Sequence, residues 1–354
     1  MLFMKDVSIF IFTDSKPQLM KRILKWIMVL VGIIILAVAG LLSYVKLALP
    51  DVGEPEELKI EYTEERIARG KYLANSVMVC MDCHSKRDFT KFGAPLVPGT
   101  LGSGGELFGT DMGFPGNFYA PNITPHHLKD WSDGELFRAI TAGVSKDGRA
   151  LFSIMPYPGF GQLDKEDIYS VIAYIRTLDP IQHDAPPSSA DFPMNFIINT
   201  LPQPPSFTSK PDAKEQIAYG KYLVTSASCS DCHTPMEKGE QLPGMYLAGG
   251  FRFPFPDKTT AVSANITPDL ETGIGKWTEE EFVSRFKKYA DSTFVPQPVK
   301  AGEFKTIMPW LFYSTMKEED LKAIYAYLRT VPPVAHKVTV FEKDETTQES
   351  TSMK

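Results

Sequence analysis

The sequence predicts an all-α fold: two small helical domains in tandem, preceded by one membrane-spanning helix. Three observations carry this. The 20 residues from Trp26 to Val45 contain no charge. Five blocks of sequence recur later in the chain at nearly constant spacing. Within each recurring unit the apolar positions follow a helical period, and runs of alternating β-branched residues are scarce.

The uncharged run, built around IMVLVGIIILAVAGLL, matches the roughly 20 residues a helix needs to cross a bilayer core. Lys21, Arg22 and Lys25 precede it and Lys46 follows. The positive-inside rule then puts residues 1–25 in the cytoplasm, residues 26–45 in the membrane and the body on the periplasmic side. A cleaved signal peptide is the rival reading, with Ala37-Val38-Ala39 as a small-residue site. The apolar run continues past that site through Leu41 and Leu42, which favours a retained, single-pass anchor in the cytoplasmic membrane.

The duplication runs through the remainder. Glu65–Leu73 answers Glu215–Leu223, and Cys80-Met-Asp-Cys-His84 answers Cys229-Ser-Asp-Cys-His233. Asn122-Ile-Thr-Pro answers Asn265-Ile-Thr-Pro, Ile154-Met-Pro-Tyr answers Ile307-Met-Pro-Trp, and Ala173-Tyr-Ile-Arg-Thr answers Ala326-Tyr-Leu-Arg-Thr. The offsets of 150, 149, 143, 153 and 153 drift as loop insertions between fixed landmarks would make them. Two units are too few for a solenoid, so each is expected to hold its own core. The predicted domains are 52–182 and 212–336, joined by a Pro-rich connection over 183–211 and followed by a polar tail over 337–354.

Helices are expected where apolar residues recur at i, i+3, i+4, i+7: at Ile168, Val171, Ile172 and Ile175, and at Leu321, Ile324, Tyr325 and Leu328. Ser132 with Glu135, and Thr278 with Glu281, have the spacing of capping boxes that open two further helices. The stretches before each cysteine pair are also helix-like. Asn122-Ile-Thr and Asn265-Ile-Thr match a glycosylation pattern but are read as structural turns. Arg176 and Arg329 sit where a cation suits a helix C-terminus.

Formal net charge is -6. Residues 1–50 carry six basic residues against two acidic ones, a net +4, which leaves -10 on the body. An acidic body argues against nucleic acid as a partner.

The four cysteines fall in two Cys-x-x-Cys-His motifs, with none left over. That motif is the signature of c-type haem attachment. Two cysteines three positions apart on a helical turn can form thioethers to the two vinyl groups on one side of a porphyrin. The adjacent histidine is then held beneath the iron. Cys80 and Cys83 would anchor one haem with His84 as ligand, and Cys229, Cys232 and His233 the other. A tetrathiolate zinc site or a thiol redox pair would explain neither the histidine that follows both motifs nor a methionine recurring downstream. Met155 and Met308, each in Ile-Met-Pro-aromatic, are the sixth-ligand candidates. Met112, Met245, His126 and His127 compete without counterparts in the other unit. Proline after each methionine biases that methionine to an extended conformation suited to presenting its sulfur.

This order of landmarks resembles the class I c-type cytochromes. More narrowly, it is similar to the cytochrome subunits of bacterial membrane-bound alcohol, aldehyde and sugar-acid dehydrogenases, over roughly residues 58–335. Those subunits typically carry three haem domains where this chain has two. The resemblance implies two cytochrome c domains with covalent haem c. It also implies electron transfer from a dehydrogenase or quinol-oxidising partner to a terminal oxidase or soluble cytochrome. A dihaem redox enzyme, peroxidase-like or thiosulfate-oxidising, is the alternative. It would need an iron that can open or a cysteine ligand, and both units keep their methionine.

Overall fold

An unbroken apolar run with no proline makes one long helix. α1 spans Lys16–Leu47, about 48 Å at 1.5 Å per residue. Its stretch Leu19–Leu47, which contains an 18-residue window of mean hydropathy 2.7, is by length and composition able to cross a membrane. The computed structural model describes residues 16–237 and 239–343. The beginning of the expected cytoplasmic segment (1–15) and the end of the expected tail (344–354) lie outside the described residues. The chain divides into two units, one ending at Leu49 and one beginning at Pro50. Every element after α1 belongs to the second.

The first half of this second unit runs α2 (Glu64–Tyr72), α3 (Cys80–Cys83), α4 (Pro125–Leu128), α5 (Asp133–Ala142), α6 (Tyr157–Phe160) and α7 (Lys165–Arg176). After a short α8 (Met194–Ile197), the second half gives α9 (Gln216–Ser226), α10 (Cys229–His233), α11 (Glu279–Lys287), α12 (Trp310–Tyr313) and α13 (Glu318–Leu328). Both expected capping boxes form, Ser132 with Glu135 at α5 and Thr278 with Glu281 at α11, each bond running in both directions. Such a cap contributes about 1 kcal/mol by satisfying amide donors that a helix start leaves open.

In each half the first and last long helices cross at a glycine. A Cβ on Gly70 would lie 1.7 Å from the carbonyl oxygen of Ser170, and one on Gly220 1.9 Å from that of Ala323. Only glycine admits that approach. Around these crossings Leu73, Val77, Ile168 and Ile172 of the first half join Leu223, Leu321, Ile324 and Leu328 of the second in one continuous buried cluster. Each such side chain contributes about 1.5–3 kcal/mol by leaving water.

Three features extend the helical expectation. α2 continues into a π turn, Leu73–Val77, which α9 lacks. The first half has one residue more between its first landmark and its cysteines, and a π turn is how a helix absorbs one insertion. The fold is also not purely helical. β1 (Leu107–Phe108), β2 (Gly116–Tyr119) and β3 (Ser189–Ala190) form an antiparallel sheet in order β1-β2-β3. β4 (Met236–Glu237) pairs with β5 (Glu240–Gln241). β6 (Arg252–Pro254), β7 (Thr259–Val262) and β8 (Phe341–Lys343) repeat the first arrangement. Strands of two to four residues are too short to show alternation. The third strand of each three-stranded sheet comes from sequence after α7 or α13. The connection and the start of the tail are therefore built parts of the two halves.

The halves meet reciprocally. Tyr72 Oη donates to Asp320 Oδ2 at 2.5 Å and accepts from the Lys317 amide at 3.0 Å. Tyr222 Oη donates to Asp167 Oδ2 at 2.8 Å and accepts from the Asp164 amide at 3.2 Å. These are the same positions of the duplication, each half offering its tyrosine to the other's aspartate. The Phe92 amide donates to the Gln297 carbonyl, and the Val299 amide to that of Thr90, both at 2.8 Å.

One difference breaks the reciprocity. Asp167 also accepts from Arg69, at 2.9 and 2.7 Å, whereas Tyr219 occupies the place of Arg69 in the second half. Burial raises the Asp167 pKa, but Arg69 and then Lys210 outweigh it and hold the carboxyl below its usual range. That stabilisation is present above about pH 4 and is lost as pH falls through the depressed value. A hydrogen bond to a buried carboxylate contributes about 1.5–3 kcal/mol. Tyr72→Phe should therefore destabilise more than Tyr222→Phe, because Asp167 keeps its guanidinium. Urea midpoints of the two variants measure this, and an equal or reversed ranking contradicts it.

Candidate functional site

Each Cys-x-x-Cys-His turn is set off from the helix before it by a residue in the left-handed region. Val79 has φ 45° and Ser228 φ 51°. For a non-glycine residue that costs about 1–2 kcal/mol, and such strain persists where the surroundings over-determine it. The reversal starts the short helices α3 and α10, which place both cysteines of a motif on one turn. All four cysteines are unpaired thiols. Burial pushes Cys80 and Cys229 up to about 12 and raises Cys83 as well. Thiols held protonated in this way lack the thiolate that a disulfide-exchange pair needs.

The two histidines are held identically. His84 Nδ1 donates to the Pro121 carbonyl at 2.8 Å, and His233 Nδ1 to the Ala264 carbonyl at 2.7 Å. A carbonyl can only accept, so the ring proton sits on Nδ1 and Nε2 keeps its lone pair. Burial lowers the pKa of both rings, keeping the imidazoles neutral. A neutral imidazole with its far nitrogen pinned is the form in which histidine binds a metal.

Met155 and Met308 each precede a proline just outside a short helix. The amides two residues on, Tyr157 and Trp310, bond back to the methionine carbonyls at 2.7 Å. Both methionines pack against the same buried cluster as Cys80 and Cys229. Cys83 instead packs against the small cluster of Phe108, Phe118 and Ala120, as does Phe152. Phe118 stacks on Phe152 at 4.1 Å between centroids, three residues before Met155. Each motif and its methionine segment thus border common apolar packing.

The two motifs also share a neighbour. Tyr313 is buried and donates to the Ala227 carbonyl at 2.8 Å. Burial, then Cys229 and Cys232 of one motif and Asp82 and Cys83 of the other, raise its pKa well above the ordinary value. α12 therefore lies within electrostatic reach of both.

The electrostatics differ between the halves. Arg87 grips Asp82 at 2.8 and 2.9 Å and is paired with Glu106, all three side chains being buried. Burial outweighs Arg87 and raises Asp82 to about 6. In the second half Asp231 occupies the place of Asp82, and Met236 and Phe251 stand where Arg87 and Glu106 would be.

These residues fit a c-type haem in each half: paired neutral thiols, a neutral histidine with Nε2 free, and a thioether on an apolar wall. Among the described residues no three His, Cys, Asp or Glu side chains cluster as metal ligands, so the four cysteines do not converge on one tetrathiolate site. Arg176 is bound to the Leu128 carbonyl and Asp133, and Arg329 to the Gly275 carbonyl, so both tie loops to helix ends. Asn122 and Asn265 are buried turn residues; each side-chain oxygen accepts from the threonine two residues on.

Sequence reasoning missed a second histidine pair. His183 Nδ1 bonds the Ser103 carbonyl and His336 Nδ1 that of Ala248, both at 2.9 Å. Their separation of 153 equals that of the methionines and of the Tyr-x-Arg block, a signal that was present in the chain.

A cytochrome c family model matches residues 217–332. The chain is 30% identical over 288 residues to the cytochrome c subunit of the quinone-dependent alcohol dehydrogenase of Komagataeibacter europaeus, covering 76% of this chain and 56% of that one. It is 30% identical over 287 residues to the fructose dehydrogenase cytochrome subunit of Gluconobacter japonicus, covering 76% and 53%. It is 29% identical over 267 residues to a diheme cytochrome c-type protein of Cereibacter sphaeroides, covering 72% and 82%. The chain spans about half the length of the dehydrogenase subunits it matches.

The left-handed residues offer a direct test. The Ser228 hydroxyl is buried without a hydrogen-bond partner. Ser228→Gly removes both this and the φ strain, and should stabilise by about 1–2 kcal/mol. Val79 packs against the core, so Val79→Gly should gain less or lose. Thermal midpoints of the two variants compare them.

Proposed function

We propose, for a chain that belongs to the cytochrome c family, that its body holds two covalent c-type haems and relays single electrons. The site would stand on the periplasmic face of the cytoplasmic membrane, with α1 as the anchor. One observation carries this reading: a half-buried histidine with Nδ1 committed to a carbonyl and Nε2 free, behind a turn presenting two protonated thiols, built twice.

In this reading Cys80 and Cys83 fix one porphyrin and Cys229 and Cys232 the other. His84 and His233 would each offer an imidazole nitrogen to the iron, and Met155 and Met308 each a thioether sulfur. When bound, haem iron supplies one-electron Fe(III)/Fe(II) chemistry whose potential the axial ligands and burial tune. The chain's part would be to complete the iron's coordination with its own side chains, leaving no site open to substrate. It also excludes water with the apolar packing around each motif. The reciprocal Tyr72–Asp320 and Tyr222–Asp167 contacts hold the two sites in one body, with α12 between them. A short path for an electron from one site to the other follows from that placement.

Two of the relatives described above are named as subunits of an alcohol and a fructose dehydrogenase. A membrane-bound dehydrogenase or quinol-oxidising complex is the donor this supports, and a terminal oxidase or soluble cytochrome the acceptor. Anchoring confines the exchange to the membrane surface, where effective concentration is high.

The pyridine haemochrome of the purified protein should report two covalent haems per chain. Cys80→Ala with Cys83→Ala should leave one, and the paired change at Cys229 and Cys232 should leave the other. Met155→Leu and Met308→Leu should each open one reduced haem to prompt, stoichiometric carbon monoxide binding that the unaltered protein lacks. A pigment extracted freely by acid-acetone, or prompt carbon monoxide binding before any substitution, would overturn the reading.

A further inference from the structure

The histidine pair that the sequence repeat hides closes a ring of hydrogen bonds in each half. In the first, His84 Nδ1 donates to the Pro121 carbonyl at 2.8 Å. The next residue, Asn122, sends its side-chain amide to the carbonyls of Ile181 and His183, at 2.8 and 2.9 Å. His183 Nδ1 donates to the Ser103 carbonyl at 2.9 Å. The Gly104 amide returns to the carbonyl of His84 at 2.8 Å. The path therefore begins and ends on the same histidine.

The second half repeats every step. His233 Nδ1 reaches the Ala264 carbonyl at 2.7 Å. Asn265 reaches the carbonyls of Val334 and His336, at 2.8 and 3.3 Å. His336 Nδ1 reaches the Ala248 carbonyl at 2.9 Å, and the Gly249 amide the His233 carbonyl at 2.6 Å. Packing repeats as well. A Cβ on Gly105 would lie 2.9 Å from His183 Cε1, and one on Gly250 2.8 Å from His336 Cε1. Each ring lies flush against a glycine that has φ near 100°.

Neither His183 nor His336 belongs to a Cys-x-x-Cys-His motif. Each arrives from the segment beyond the last long helix of its half and pins the loop that follows the motif. Resting on the haem reading above, we infer that His183 and His336 are positioning residues for the two proximal ligands. Each braces the carbonyl that accepts the Nδ1 proton of its own half's motif histidine. The acceptor makes the ligand more basic at Nε2 and fixes its plane, and a more basic ligand favours the ferric state.

The test uses the full membrane-anchored protein carrying both haems. His183→Phe keeps an aromatic ring and removes the donor; His183→Asn keeps a donor at the Nδ1 position. Redox titration should show the phenylalanine variant shifting one haem toward reduction about tenfold, about 59 mV upward for a one-electron couple. The other haem should be unmoved, and asparagine should restore the original value. His336→Phe and His336→Asn should do the same to the other haem, an independent reading should the first pair not fold. Proton NMR should show the proximal Nδ1–H of the affected haem exchanging with solvent at least tenfold faster. Two covalent haems with both potentials unmoved by either phenylalanine variant would overturn this inference alone. Equal shifts at both haems, or no rescue by asparagine, would also overturn it by indicating general loosening. A protein without covalent haem would instead overturn the reading on which it rests.

Discussion

The contact on which the body depends is the crossing of first and last helices at Gly70 and Gly220. A helix backbone approaches another within the space of one missing methyl group, its Cα against the carbonyls of Ser170 and Ala323. α2 and its π turn lead directly to Cys80, and α9 to Cys229. α7 and α13 follow the methionine segments by a few residues. Fixing the crossing therefore fixes, at one point in each half, both strands of chain that must face each other across a site. Packing of Leu73 and Ile168, or Leu223 and Leu321, about each crossing supplies the apolar burial that makes it persist.

From this crossing the relation between the halves follows. Tyr72 lies two residues after Gly70, and Tyr222 two after Gly220, so each crossing also aims a tyrosine outward toward the partner half. An interface in which equivalent positions pair reciprocally is the intramolecular counterpart of a two-fold dimer contact. The same duplicated sequence thus serves two ends, closing its own half and holding the other.

Much of this was legible in the sequence alone. The capping boxes, the long helices and the two motifs are strong local signals, because each depends on residues within one or two turns. The offset falling from 150 to 149 between the first two landmarks was visible too. Its form as a π turn depends on α7 and the motif being fixed at either end. The small sheets were not legible, since β1 and β3 have two residues each and acquire meaning only through distant partners. His183 escaped because it opens a stretch whose prolines and serines read as connection, and His336 because it closes the last helical domain. Their common offset of 153 was in the sequence, but the hydrogen bonds to Ser103 and Ala248, 80 and 88 residues away, show what the pair does.

The two sites are alike in what holds a histidine and unlike in what charges surround it. Every element of the brace is duplicated, from the left-handed residue to the asparagine. The buried Asp82–Arg87–Glu106 group has no second copy, and Asp231 is exposed, its carboxylate accepting from the neighbouring Ser230 hydroxyl at 3.4 Å. A charge kept from water acts on its neighbours more strongly than one that solvent and salt can screen. Retention of geometry with divergence of field is what a chain needs if it is to bind one kind of group twice and give each copy a different affinity for an electron. Two identical sites would exchange an electron with no preferred side, whereas two sites in unequal fields give it a direction.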